Sequence, residues 1–444
     1  MAIAIESYRD ALRTIRRYPH YTPDDTGSWS LARLGELMAR LGNPEKRFFS
    51  LLIAGTKGKG STAAISERIL RSAHYKTGLY TSPYLHSFRE SIRLRGEPIS
   101  ERDFIETLQR LLPYFEATDG LTAFELTTAL AIVTFAQAEI DVAVFEVGLG
   151  GRLDATNIVD PTVAVITSIS YDHMKVLGDT LTQIAWEKAG IIRDEALVIS
   201  APQVDEARQV IEQVCKDRRA KLVLIDRDRP WHIDSNDLEG QMFTVYGKQY
   251  YLPLLGRHQV TNAVTALSAV RGLEARAGLD IANEAIREGL ASVEWPGRME
   301  LMQQKPFVLL DGAMNGDSAE KLVDALAYYF DNRPVMFIFG ASHDHAIKDM
   351  LKTLLPVAAH MVVTASSHRR AESPENLAAA ASSLGYSVET VPDPALALKE
   401  ALIEASEETV ICVTGSLFLV AEVREAWLQN TGQRLPTIDP KDLY

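Results

Sequence analysis

Phe48-Phe49-Ser50-Leu51-Leu52-Ile53-Ala54-Gly55-Thr56-Lys57-Gly58-Lys59-Gly60-Ser61 passes from an apolar run of strand length into a glycine-rich turn, and a helical stretch follows. Gly55, Gly58 and Gly60 allow the backbone to turn its N–H groups inward around phosphate oxygens, and the following helix adds its positive end. Lys59 then stands against the outer phosphates of a nucleoside triphosphate. The strict pattern has two glycines four residues apart, then Lys and Ser/Thr. Aligned on Gly58-Lys59, the first glycine falls at Ile53, and Gly60 intervenes before Ser61, so this is a variant loop. The competing reading is a tight glycine turn between a strand and a helix.

Outward from this loop, apolar runs alternate with helix-length amphipathic segments: residues 48–54, the helix after Gly60, residues 141–147, 162–168, and a helix over 181–189. Such alternation predicts βα units and a mostly parallel sheet covered on both faces. Residues 221–253 change to short strand-like pieces with turns, read as an antiparallel flap, and helices follow over 258–278 and 281–290. Trp295-Pro296-Gly297-Arg298 breaks the pattern. Strands then resume at 306–310, 335–339, 361–365 and 409–413, with a helix after Asn315, giving a second α/β domain of roughly 150 residues.

The chain has 444 residues, more than one ordinary core holds, so two domains are expected: residues 1–296 and 297–444. A net charge of −13 argues against a nucleic-acid partner, because phosphate backbones select basic surfaces. Two cysteines, Cys215 and Cys412, suggest neither a disulfide framework nor a cysteine metal cage and fit a reducing cytoplasm, with pairing between them left open. The charged amphipathic segment Ser7 to Arg17 lacks the apolar core of a signal peptide, and no apolar run reaches membrane-spanning length, so neither export nor a membrane anchor is expected.

Several polar residues fall at the carboxyl ends of predicted strands, where open α/β sheets collect ligands. Glu146 ends a strongly apolar strand before Gly148-Leu149-Gly150-Gly151-Arg152, a place from which a carboxylate can hold magnesium. A buried pair with Arg152 is the alternative. Ser170-Tyr171-Asp172-His173 ends the next strand; His173 is read as a metal ligand beside Glu146 or as a structural hydrogen-bonder. Lys188, near the end of a predicted helix, is either catalytic or a dipole-favoured cation before a Gly190 cap. Ser82, in Tyr80-Thr81-Ser82-Pro83-Tyr84, offers a metal an oxygen, and Arg89, Arg93 and Arg95 after it attract an acidic substrate; a solvated turn competes. In the second domain Asp311 is poised to accept from ribose hydroxyls, while Asn315 caps a helix.

Taken together these motifs resemble the folylpolyglutamate synthase and dihydrofolate synthase family of the Mur ligase superfamily, from about residue 30 onward and in family order. The resemblance implies a Mur-ligase-like α/β fold: a large P-loop-type ATP-binding domain followed by a smaller Rossmann-like domain. It implies that Gly55, Thr56, Lys57, Gly58, Lys59, Gly60 and Ser61 form the ATP loop, that Asn262, Arg298 and Asp311 contact nucleotide, and that Ser82, Glu146 and His173 ligate magnesium. Lys59, Lys188 and His173 are then catalytic, Lys188 as a carbamate serving a second magnesium ion. Thr414-Gly415-Ser416-Leu417 resembles the family's last strand-to-helix turn. Family members usually carry histidine at Tyr84 and at Met314, lysine at His345 after Asp344, and, in bacteria, asparagine at Lys57. The implied activity joins L-glutamate to a folate or dihydropteroate through an acyl phosphate, in a cytoplasmic monomer. The rival is a Mur-like ligase joining another amino acid to a non-folate acid.

Overall fold

Residues 5–19 and 30–440 are described by the computed structural model. In the first sheet β1 (Phe49–Ala54), β2 (Thr77–Tyr80), β3 (Ile92–Leu94), β4 (Glu97–Pro98), β5 (Val142–Glu146), β6 (Val163–Ile166), β7 (Leu197–Ser200) and β8 (Lys221–Leu224) lie in the order β4-β3-β2-β5-β1-β6-β7-β8. β1 pairs in parallel with both β5 and β6, and β2, β7 and β8 continue the parallel array. Only the β2–β3 and β3–β4 pairings, at one edge, are antiparallel. The strand order reverses around β1, so its carboxyl end opens into a crevice.

These strands are buried on both faces, which explains why they read as unbroken apolar runs. Leu52 and Ala54 pack with Phe145 and Ile166 beneath the helices Ala123–Gln137 and Leu181–Ala189. Leu51 and Ile53 point the other way, packing with Val144 and Val165 beneath the helices Lys59–Ser72 and Arg257–Ala277. The three-stranded antiparallel flap consists of β9 (Trp231–Asn236), β10 (Gln241–Val245) and β11 (Lys248–Leu252); its Phe243, Val245, Tyr250 and Leu252 join the second of these cores. The flap expected from residue 221 thus begins ten residues later. Lys221–Leu224 is instead β8, a parallel partner of β7, because a run this short has no periodicity that separates an edge strand from a hairpin arm.

The third sheet comprises β12 (Glu300–Gln304), β13 (Phe307–Leu310), β14 (Val335–Phe339), β15 (His360–Val363), β16 (Glu389–Thr390) and β17 (Val410–Thr414), in the order β12-β13-β17-β14-β15-β16. All pairings are parallel except β12 with β13. β12 escaped the sequence reading because it is a half-exposed edge strand, Glu-Leu-Met-Gln-Gln, with little apolar signal. Cys215 and Cys412 are both buried and free.

The two sheet units meet through polar contacts. Gly256 N–H donates to the Tyr329 hydroxyl at 2.9 Å, and Ser170 Oγ to Asp317 Oδ2 at 3.3 Å. No helix among the described residues is long and apolar enough to cross a membrane.

Candidate functional site

β2, β5, β1 and β6 are neighbours in the sheet, and their carboxyl ends carry Ser82, Glu146, the Gly55–Ser61 loop and the Ser168–His173 turn, respectively. The loop is shaped by close approach. Gly55 has φ 145°, and a Cβ there would lie 1.8 Å from Thr167 Oγ1; Gly58 has φ 86°, and its Cβ would lie 2.3 Å from Asn262 Oδ1. Only glycine fits either place without displacing a neighbour. Asn262, buried on the helix Arg257–Ala277, is thereby brought against the loop, and its Nδ2 donates to Gln259 Oε1.

The loop is stapled to the exit of β6. Thr56 and Lys57 N–H groups both donate to the Ser168 carbonyl, at 2.8 and 3.1 Å, and Thr56 Oγ1 donates to the Ser170 carbonyl at 3.1 Å. Those two amides are therefore engaged within the protein. The helix Lys59–Ser72 has no side-chain N-cap, so the N–H groups of its first turn face the crevice. Lys59 Nζ folds back to the Thr56 carbonyl at 3.4 Å, and Lys57 Nζ pairs with Asp172 at 3.2 Å. Burial pushes the Asp172 carboxyl up, but Lys57 and His173 outweigh it and hold it below the usual range.

Glu146 is buried, and its Oε2 accepts from Ser82 N–H at 3.2 Å. Burial raises its pKa, opposed chiefly by Lys59. Arg152 is not its partner: that guanidinium pairs with Glu187 at 2.9 Å and lies over the Trp186 ring. The alternative reading of Glu146 as half of a buried ion pair with Arg152 is thus excluded.

Lys188 is also buried, and its Nζ donates to the Gly55 carbonyl at 2.9 Å. Burial, reinforced by Lys59, pushes its pKa down to about 7. Its helix starts from a reciprocal Thr180–Gln183 cap, a device worth about 1 kcal/mol. Gly190 at the other end is right-handed, φ −61°, so the helix does not end in a left-handed glycine cap.

His173 lines the same pocket as Gly55, Thr56, Lys59, Gly148 and Lys188. Its side chain keeps 59% of its surface exposed, yet the surrounding protein, with Lys59 and Lys188, holds its pKa below the ordinary value despite Asp172. Sequence reading passed over Asp172 as a partner of Lys57 and Asp317 as a partner of Ser170. The signal for Asp172 was its place in the Ser-Tyr-Asp-His run; Asp317 had none.

Across the crevice, Asp311 follows β13 and accepts from Met299 and Ala313 N–H groups, both at 3.0 Å; burial raises its pKa, opposed first by Arg298. Arg298 donates to the Gly312 carbonyl at 3.3 Å. Asn315 caps the helix Gly316–Tyr329 as expected. Tyr84 packs against Phe88, Met314 N–H donates to Ser318 Oγ, and His345 Nδ1 lies 3.1 Å from the Gly415 carbonyl.

For a divalent ion the donor set is chemically apt: Ser82 and Glu146 offer hard oxygens and His173 a nitrogen. Gly60 keeps space open beside Glu146, since a Cβ there would come within 3.0 Å of Trp295 and 3.4 Å of Glu146 Oε2.

A phosphate-type loop, a carboxylate on the adjoining strand and a facing second sheet are the parts of a nucleotide-dependent ligase. Residues 53–270 match the Mur ligase middle domain, and residues 297–417 match the Mur ligase, glutamate ligase domain, so the chain has the two modules of a Mur ligase. The dihydrofolate synthase/folylpolyglutamate synthase of Bacillus subtilis (strain 168) is 35% identical over 406 residues, covering 89% of this chain and 94% of that protein. Escherichia coli FolC in complex with DHPP and ADP superposes with a TM-score of 0.87 at 32% identity, covering 97% of this chain and 100% of that one. A bifunctional folylpolyglutamate synthase/dihydrofolate synthase with Mn, AMPPNP and L-glutamate bound gives 0.82 at 30% identity, over 96% and 98% of the two chains. The chain belongs to the dihydrofolate synthase/folylpolyglutamate synthase family.

Proposed function

We propose that this protein is an ATP-dependent ligase that adds L-glutamate to a folate, with dihydropteroate as a further acceptor, through an acyl phosphate. The observation that carries the reading is the adjacency of the β2, β5, β1 and β6 ends opposite the second sheet. An acceptor carboxylate oxygen attacks the γ-phosphorus of ATP as the bond to ADP breaks. The glutamate amine then attacks the acyl carbon, losing a proton as phosphate leaves.

In this reading residues 1–296 form the ATP-binding domain and residues 297–444 the glutamate ligase domain. The amides of Gly58, Lys59, Gly60 and Ser61 face the phosphates, because Thr56 and Lys57 already donate theirs to Ser168. Thr56 and Lys57 shape the loop together with Gly55, and Asn262 backs Gly58. Lys59 stabilises charge on the transferring phosphoryl group. Arg298 and Asp311 orient the nucleotide and incoming amine from the second domain. Ser82, Glu146 and His173 would hold magnesium, which when bound neutralises and aligns phosphate oxygens. All these groups come from one chain, which favours a monomer, and the two buried free cysteines suit a cytoplasmic setting. Closure of the second domain over the crevice excludes water from the acyl phosphate.

Lys188 is the residue whose carbamylation the reading requires, giving an anion suited to a second magnesium ion. A pKa of about 7 leaves much of the amine neutral at physiological pH, and only the neutral amine attacks carbon dioxide, releasing one proton. Its folded pKa lies below the ordinary 10.5, so the buried ammonium costs stability in full below about pH 7, and that cost fades as pH rises toward 10.5. At equal dissolved carbon dioxide, enzyme stripped of it regains turnover several-fold on resupply at pH about 8, much less at pH about 6. Lys188→Ala shows no response. Turnover by wild type that ignores carbon dioxide at both pH values removes the carbamate.

ADP release tests the function as a whole. It is expected only when an acceptor (dihydropteroate or tetrahydrofolate) and L-glutamate are both present, with the glutamyl product seen by mass. Release driven instead by another acid and amine would assign the protein to a different Mur-type reaction.

A further inference from the structure

The loop that follows β2 is held in place from the far end of the chain. After the helix Leu417–Asn430, residues 431–440 leave the second domain and return to the first. There Asp439, 4% exposed, accepts from Ser87 Oγ at 2.7 Å, Phe88 N–H at 2.8 Å and Tyr8 OH at 3.0 Å. Its own N–H donates to the His86 carbonyl at 3.1 Å. Between Ser82 and Ser91 the loop has one carboxylate of its own, Glu90, which accepts from the Leu85, His86 and Ser87 amides. Asp439 is the second carboxylate, and it binds the outer side of the same turn.

His86 ties this loop to the second domain as well, with Nδ1 at 2.9 Å from Glu425 and Nε2 accepting from Arg424 at 3.3 Å; Arg424 in turn pairs with Glu300. The strap does more than anchor. Its exposed Arg434 and Leu435 line an interdomain groove of about 570 Å³, open to solvent, together with Tyr84, Arg89 and Arg298. Five of its lining residues are arginines, against two glutamates, which suits an acid substrate bearing more than one carboxylate.

We propose that residues 431–440 are a strap that forms one wall of the acceptor groove, and that Asp439 is a positioning residue setting the Ser82–Ser91 loop for the acceptor acid. The inference rests on the ligase reading above and names where the acceptor lies. Without the Asp439 carboxylate, the Ser87 hydroxyl and the Phe88 amide lose their partner, and the loop is freed to leave the conformation in which Tyr84 and Arg89 face the groove. The hydrogen bonds of Asp439 reach Tyr8, His86, Ser87 and Phe88 and none of the Gly55–Ser61 loop, so acceptor binding is expected to suffer more than ATP binding.

The test compares full-length wild type with Asp439→Ala and Asp439→Asn, measuring kcat, KM for tetrahydrofolate and for ATP, and thermal unfolding. Loss of a charged acceptor from two or more donors is expected to raise the acceptor KM about tenfold or more. KM for ATP should stay within about twofold, and the Asn variant, which keeps one acceptor oxygen, should fall between wild type and Ala. Arg434→Ala, on the exposed part of the strap, is expected to raise the acceptor KM while leaving thermal unfolding unchanged. If Asp439→Ala does not fold, Ser87→Ala carries the same comparison. Equal changes in both KM values, or a lowered melting temperature with acceptor KM unchanged, would overturn the positioning role. A wild-type enzyme that fails to ligate any folate would instead overturn the ligase reading, so the two failures are distinguishable.

Discussion

Lys59→Ala is expected to lower kcat by about a thousandfold, with a much smaller loss of ATP affinity. Lys59 opens the helix Lys59–Ser72 directly after Gly58, and its Nζ folds over the loop to the Thr56 carbonyl. That hydrogen bond is to a neutral oxygen and is weak at 3.4 Å, so the ammonium is free to swing toward phosphate. In the ground state the uncapped amides of the first helical turn already attract the triphosphate. Lysine adds most where negative charge shifts among the transferring oxygens, which is why kcat falls further than binding. Truncation removes the cation that chiefly opposes the raised pKa of buried Glu146, so that carboxyl moves further toward its neutral form, and thermal unfolding of the variant checks that the fold survives. Rapid-quench measurement of acyl phosphate and ADP decides it; a folded variant within tenfold of wild-type kcat would remove Lys59 from phosphoryl transfer.

Glu146→Ala and Glu146→Gln should each cut turnover by about two to three orders of magnitude while leaving the protein folded. The carboxylate is buried with a single hydrogen bond from Ser82 N–H, and its raised pKa reports that the charged form is uncomfortable there. A carboxyl whose folded pKa is raised loses stability as pH climbs through that value, so its charge destabilises the fold at neutral pH. Glutamine keeps the acceptor for Ser82 and drops the charge, so its melting temperature should match or exceed that of wild type. Alanine also leaves the Ser82 amide unpartnered, at a cost of about 1–3 kcal/mol. The informative readout is magnesium dependence: half-saturation should move to higher concentration in Glu146→Gln. Near-normal turnover at ordinary magnesium in either folded variant would exclude the carboxylate from the site.

The alternation of apolar runs and amphipathic helices was enough to give two α/β units, because buried parallel strands are continuous apolar segments. The same reading located the Gly55–Ser61 turn, Glu146 and Asp311 at strand ends, since strand ends can be counted along the chain. It misplaced the flap boundary and missed β12, where the strands are short or half exposed and carry little pattern.

What the sequence alone determined is therefore the local chemistry: which residue types stand at the end of which strand. Only the tertiary structure decided their company. It set β2, β5, β1 and β6 side by side, turned Arg152 to Glu187 rather than Glu146, engaged the Thr56 and Lys57 amides with Ser168, and brought Asp439 back to Ser87. The physical reason is that strand order and long-range hydrogen bonds are chosen by packing over the whole core, in which partners hundreds of residues apart meet, and no window of local periodicity contains that information.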